Sequence, residues 1–449
     1  MRIVTAIFLL CASAGVGFAA DHKLLRDVAA EVKVDELRAT DVKLVGFGTR
    51  HTLSDATSPT RGIGATRNYI RQRFEAISAA CGGCLTIEMP YEMLTSDRVP
   101  TPTAIYDILA IQKGTTDPNR VIIMAAHVDS RNSNTRDAVG DAPGANDDAS
   151  GTSAVVEAAR ILSKHKFPAT IVYAVLTGEE QGLLGGKVLA NYARAHNWQV
   201  EADLNNDIIG NSHGYDGFVD DRHVRVLSEG TRSLETAAEA NQRRYNGGEL
   251  DSPSRNLARF LAGLADSYLK NFQVRMIYRT DRYGRGGDQV PVLAVGYPAV
   301  RITEVAENYT RQHQDVRTEN GIAYGDVLAG VDYDYLAQVT RLNVVALAAL
   351  AMAPMPPPTL TIEGAITPDT TLKWSPSAGA ASYRVWWRDT TAPFWTDSRD
   401  AGNVAQLTLK NVSIDNSFFG VSAVSADGYE SPVEFPGVAG AFVGPAPKP

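Results

Sequence analysis

The chain alternates runs that are apolar at every position with stretches of helical period. Val121-Ile-Ile-Met-Ala-Ala126 is one continuous apolar run, as expected of a parallel strand buried on both faces. Thr170-Ile-Val-Tyr-Ala-Val-Leu176 is a second, and residues 85–89 and 104–112 read as further strands. Helical stripes accompany them. Ile70, Phe74 and Ile77 share one face over 62–78, and Ala154, Val155, Ala158, Ile161 and Leu162 share another, with Ser150 placed to cap that helix. A further helix is expected over 184–195, and 21–61 reads as a helical cap with loops. This alternation predicts an α/β fold, a mixed and mostly parallel sheet with helices on both faces.

The pattern changes at Ala353. Pro354, Pro356, Pro357 and Pro358 make a stiff extended linker over 354–358. Beyond it short alternating segments replace the helical period: 371–374, 383–388, 406–409 and 418–424. They predict a small all-β sandwich over 359–449, separate from a first domain at 21–353. Trp374, the Tyr383-Arg-Val-Trp-Trp-Arg388 strand and the Phe419 to Ser431 ending resemble a fibronectin type III module. Trp386, Trp387 and Trp395 either fill its core or, if exposed, bind a ligand. The module is expected to contact the cell surface, carbohydrate or the first domain.

At the other end, Arg2, the apolar 3–18 and the small Ala19 and Ala20 have the three parts of a signal peptide over 1–20. The expectation is an exported protein, periplasmic or extracellular, with no later segment long and apolar enough to span a bilayer. Cys11 falls in the discarded segment. Cys81 and Cys84 are then the two cysteines of the mature chain, and in an oxidising compartment they read as a local disulfide. Length changes the picture little: 449 residues suit two domains. The formal charge of −8 comes without a basic block, which argues against a nucleic-acid partner.

The candidate chemistry clusters where the apolar runs end. His127 and Asp129 follow the first, at the carboxyl end of a strand, where open α/β sheets place their sites. In His127-Val-Asp129 the carboxylate can orient the imidazole from behind. Asp147, in Gly144-Ala-Asn-Asp-Asp-Ala-Ser-Gly151, can bridge two metal ions, and Asp148 offers the same chemistry. Glu179 and Glu180 follow the next run; one can ligate and the other take a proton. Asp207 ends another apolar strand. A last histidine is open between His213, His223 and His313; His313 comes from a loop ahead of an apparent helix start. Nitrogen and oxygen ligands without cysteine point to zinc or a similar divalent ion.

His127-Val-Asp-Ser130, Pro143 to Gly151, Gly178-Glu-Glu-Gln-Gly-Leu-Leu-Gly185, Asn206-Asp-Ile-Ile-Gly210 and His313-Gln-Asp-Val together resemble the co-catalytic di-zinc aminopeptidases. These are the bacterial leucyl aminopeptidase-like group, related to glutamate carboxypeptidase II and glutaminyl cyclases. The resemblance covers roughly 21–353 and implies a zinc-exopeptidase-like fold and peptide substrates. It implies two zinc ions, one on His127 and Asp207, one on Glu180 and His313, with Asp147 bridging. It implies Glu179 as general base, Asp129 as the partner of His127, and Asp148 as following a strained peptide bond. It places a tyrosine for the oxyanion near Tyr309, although the spacing to His313 is not the tightest form. Gln289 stands where a histidine is often seen. Aminopeptidase is the leading expectation; a carboxypeptidase, a glutaminyl cyclase and a non-catalytic binding protein are the alternatives.

Overall fold

In the computed structural model, which describes residues 21–442, four parallel strands form the middle of an eight-stranded sheet. In spatial order they are Ala169–Leu176, Asp117–His127, Gln199–Asn206 and Ala299–Glu304. Antiparallel Ile108–Gln112 and then Thr86–Glu88 extend one side. On the other, His223–Leu227 runs antiparallel to the last parallel strand, and Gln273–Ile277 closes the edge parallel to it. The proposed signal segment lies outside the described residues.

Each parallel strand feeds two cores because successive side chains point to opposite faces. Ile122, Met124 and Ala126 pack in the larger core and Val121, Ile123 and Ala125 in the smaller. Helices Ala149–Leu162 and Tyr333–Met352 cover the first face, and Leu184–Ala195 with Gln289–Ala294 the second. This is the mixed, mostly parallel sheet with helices on both faces that the apolar runs predict.

Three local expectations are corrected. The strand over 104–112 is broken at Asp107, which is fully buried and accepts the Thr177 N–H at 3.1 Å. Thr103–Tyr106 instead pairs with Tyr91–Leu94 in a separate hairpin. Helix Ala149–Leu162 is capped by Asp148, whose carboxylate accepts the Gly151 N–H at 3.0 Å, and Ser150 lies inside the helix. After His313 the chain forms a two-stranded ribbon, Arg317–Glu319 with Ile322–Tyr324, and no helix.

Helix Tyr333–Met352 is also long and apolar enough to cross a membrane, contrary to expectation, but 83% of its apolar window is buried inside the molecule. It is a core helix. Its last carbonyls lack intrahelical partners and, being buried, need donors from elsewhere. Buried Arg120 supplies them, donating to the oxygens of Leu350, Ala351 and Ala353 at 3.0, 3.4 and 2.7 Å while pairing with Glu201 at 2.7 Å.

The chain then runs irregularly through the proline segment, where Pro354, Pro356 and Pro357 are buried. It enters two three-stranded antiparallel sheets, with Thr370–Trp374 central in one and Ser382–Asp389 in the other. Leu372, Trp374, Val385, Phe419 and Val421 pack between them. Trp386 and Trp395 are buried, and Trp387 packs against the core, so the exposed aromatic surface considered above is not formed. This unit docks on the first. Arg388 donates both ways to Asp251 at 2.8 and 2.9 Å, and Arg259 donates to the same carboxylate at 2.9 Å and to the Pro393 oxygen at 2.7 Å.

Candidate metal centre

The carboxyl ends of the four parallel strands lie side by side, and each delivers a group to one place. His127 is the last residue of its strand, and Asp207 directly follows its own. Glu180 stands in the turn after Ala169–Leu176, and His313 in the loop after Ala299–Glu304. Asp147 comes from the turn that opens helix Ala149–Leu162.

Asp147 occupies the centre. Its Oδ1 is 3.2 Å from His127 Nε2, and its Oδ2 is 2.9 Å from His313 Nε2. Asp207 Oδ1 lies 3.7 Å from the same His127 nitrogen, and Glu180 Oε1 lies 2.9 Å from the His313 nitrogen. Two groups result, His127 with Asp147 and Asp207, and Asp147 with Glu180 and His313, each with ligand atoms within 4.8 Å of one another. His127 Nε2 is buried without a well-aligned hydrogen bond. Two imidazoles and three carboxylates at this spacing are a donor set that fits zinc.

The electrostatics follow from crowding. Burial opposes ionisation of Asp207, but Arg301 and His127 outweigh it and hold the carboxyl at about 2. Burial likewise disfavours the Asp147 carboxylate, and the two histidines pull it well below the usual range. Burial favours neutral His313, yet Glu180 and Asp147 raise it to about 9. Glu179 differs. Burial, with Asp207 and Glu180 nearby, pushes it well above the usual carboxylate range. Its carboxylate makes no hydrogen bond or ion pair with the described residues.

The turns are held by buried side chains. Asp148 accepts the N–H groups of His127 and Ile208, each at 3.2 Å, so one carboxylate ties two strand ends to the helix start. The Asp147–Asp148 peptide bond is cis. Asp326 accepts the N–H groups of Asn146 and Asp147 at 2.9 and 2.7 Å. Arg50 fixes the approach, donating to the oxygens of Val128 and Gly144 at 2.6 and 2.8 Å. Gly144 has a φ of +53°, and a Cβ there would stand 2.5 Å from the Asp147 oxygen, so the turn requires glycine.

Asp129 does more, and other, work than expected. His127 Nδ1 is 3.0 Å from the backbone oxygen of Asp129 and 3.6 Å from its carboxylate, so the carbonyl is the partner of the ring. The carboxylate instead accepts the N–H groups of Gly178, Glu179 and Glu180 and the Thr52 hydroxyl. Tyr309 is 55% exposed, with its ring beside Tyr215, and does not line the cavity at the centre. Among the open histidines, His313 joins the cluster; His223 pairs with Asp220 and His213 with Ser212. Gln289 is buried against Asp281 at 2.6 Å, away from the cavity wall.

Two arginines were not anticipated. Arg301 is fully buried and donates to Asp207 Oδ2 at 2.7 Å. Arg131 reaches Glu180 Oε2 at 2.8 Å and His313 Nδ1 at 2.5 Å. A signal existed for the first: a charge inside the apolar Ala299-Val-Arg-Ile302 segment needs a buried partner.

The model of peptidase family M28 matches residues 107–327, the stretch that contains every residue of the centre. A probable zinc metalloprotease of Pyrenophora tritici-repentis is 44% identical over 418 residues, covering 92% of this chain and 86% of the relative. One from Leptosphaeria maculans is 42% identical over 428 residues, covering 94% and 99%. Both alignments are longer than the first domain alone. Among solved structures, Legionella LapA matches with a TM-score of 0.54 at 18% identity over 74% of this chain and 78% of that one, a likeness of fold. The chain therefore belongs to peptidase family M28 and is a zinc metallopeptidase.

Proposed function

We propose that this peptidase is an exopeptidase, an aminopeptidase built on two zinc ions. The observation that carries the reading is the pair of Asp147 oxygens, each facing a different histidine at 3.2 and 2.9 Å. His127 and Asp207 would hold one ion, Glu180 and His313 the other, and Asp147 both. Such a pair supplies Lewis-acid charge stabilisation and lowers the pKa of water to near neutrality.

The remaining roles belong to side chains of this chain. Glu179 has a raised affinity for protons and an unpartnered carboxylate, which suits it to take a proton from the attacking water and return it to the leaving amine. Asp129 anchors the turn that presents Glu179. Arg301 fixes Asp207 by one oxygen and leaves the other directed at His127. The reading extends to export, supported by the Cys81–Cys84 disulfide.

The test is hydrolysis of aminoacyl-anilides and of N-blocked peptides by the mature chain, with metal measured on the same sample. Two zinc equivalents with cleavage of free-amine substrates alone is the expected result. Cleavage of blocked peptides from the carboxyl end would replace aminopeptidase by carboxypeptidase, and one equivalent at full activity would overturn the two-ion centre.

A further inference from the structure

The cavity at the centre has a volume of about 430 Å³, and its wall contains Arg98, Arg131, Arg282 and Arg285. Leu183 is the one apolar side chain among its lining residues. A pocket for a large apolar residue is lined mainly by apolar and aromatic groups. This one is not, so its selectivity has to come from charge.

The arginines are unequally used. Arg131 is taken by Glu180 and His313, and Arg282 lies 3.5 Å from both Asp281 and Glu307. Arg98 has no carboxylate partner among the described residues; its Nη1 donates to the Glu180 carbonyl oxygen at 2.5 Å. Arg285 donates to Gln312 at 3.2 Å, lies 3.7 Å from Glu307, and keeps 34% of its side chain exposed. A guanidinium has five N–H donors, so both retain capacity for an incoming acceptor.

The loops that bear them flank the turn of the proposed base. Ser96 Oγ donates to the Gln181 oxygen at 2.5 Å, which with the Arg98 contact ties the 96–98 loop to the 179–183 turn. On the other loop, a Cβ on Gly286 would stand 3.3 Å from Leu183. Most carboxylates on the wall have other work: Asp147, Glu180 and Asp207 belong to the proposed ligand set, and Glu179 is the proposed base.

Resting on the peptidase reading, we infer that Arg98 and Arg285 select substrates carrying a carboxylate next to the scissile bond. The group is either the side chain of an acidic residue or the free α-carboxylate of a short peptide. A guanidinium recognises both through paired charge-assisted hydrogen bonds.

Binding separates this inference from turnover. Calorimetry on zinc-loaded Glu179→Gln protein would compare Ala-Gln-amide, which has no carboxylate, with Ala-Gln and Ala-Glu-amide, and Gln-Ala-amide with Glu-Ala-amide. The expected result is about tenfold or tighter binding of at least one carboxylate member over its uncharged counterpart, with the ratio abolished in the Arg98→Gln, Arg285→Gln double variant. Which member gains identifies the source of the carboxylate. Equal affinities, or a ratio that survives the double variant, would overturn the inference. Wild-type hydrolysis without carboxylate preference would leave the peptidase reading standing alone. Carboxylate-selective binding without hydrolysis of any member would do the reverse.

Discussion

Asp129 holds Glu179 by its backbone: the Glu179 N–H donates to Asp129 Oδ1 at 3.2 Å, beside the Gly178 N–H on the same oxygen at 2.7 Å. A carboxylate accepts on both oxygens, and an amide accepts on one. Asp129→Asn therefore turns a donor toward one side of this nest and leaves a buried N–H group unsatisfied, a cost of about 1–3 kcal/mol. The expected outcome is a lower melting temperature and a kcat reduced about tenfold or more, with zinc content retained because Asp129 lies outside the proposed ligand set. Unchanged kcat would show that the turn needs no anchoring.

Glu179→Gln keeps shape and removes the proposed proton acceptor. Folding and zinc content are expected to match the wild type, and kcat to fall by about 10²–10⁴. Circular dichroism, metal analysis and steady-state rates on one preparation check this. Full activity would remove Glu179 from the chemistry.

With His127 and His313 as the proposed ligands, zinc and protons would compete for the same two imidazoles. His127 is raised well above its ordinary value, burial opposing and Asp129, Asp147 and Asp207 prevailing; His313 is raised to about 9. Histidines raised by folding stabilise the metal-free protein fully below the unfolded value near 6.5 and progressively less as pH rises through the folded value. The metal-free melting temperature is expected to fall between about pH 6.5 and 9, while the gain on adding zinc widens over the same window as ligands deprotonate. Melting curves with and without zinc across that range measure both. A zinc gain that shrinks with pH would contradict the ligand assignment.

Asp251 joins the two units by serving Arg388 and Arg259 together, all three side chains being buried. Asp251→Ala strands two buried guanidinium groups, and breaking a buried pair costs about 3–5 kcal/mol. The variant is expected to lose that much stability in denaturant unfolding and to become cleavable near 354–358. Arg388→Ala alone leaves Asp251 paired with Arg259 and should cost less. Equal, small effects would mean that the docking is energetically minor.

His127, Asp147, Glu180 and Asp207 were legible because each follows an apolar run, or opens the helix after one, and strand ends in an α/β sheet converge. His313 was not legible from pattern; it stands nine residues beyond its strand, and resemblance singled it out from three histidines. Arg131 and Arg301 were passed over because arginine is normally a surface residue; the apolar neighbours of Arg301 mark it as enclosed, but for Arg131 only packing does so. Tyr309 fails to enter the cavity for a related reason: spacing along a loop does not say which way the loop turns.

The sequence by itself determined the layering of the molecule, the sandwich after Ala353 and most of the proposed metal ligands, because side-chain periodicity dictates which faces are buried and where strands end. Tertiary structure alone decided which oxygen faces which nitrogen, that Asp129 serves a turn more than a ring, and that the second unit is clamped to the first by Arg388. Those outcomes depend on distances between residues remote in the chain, and hydrophobic pattern has no information about them.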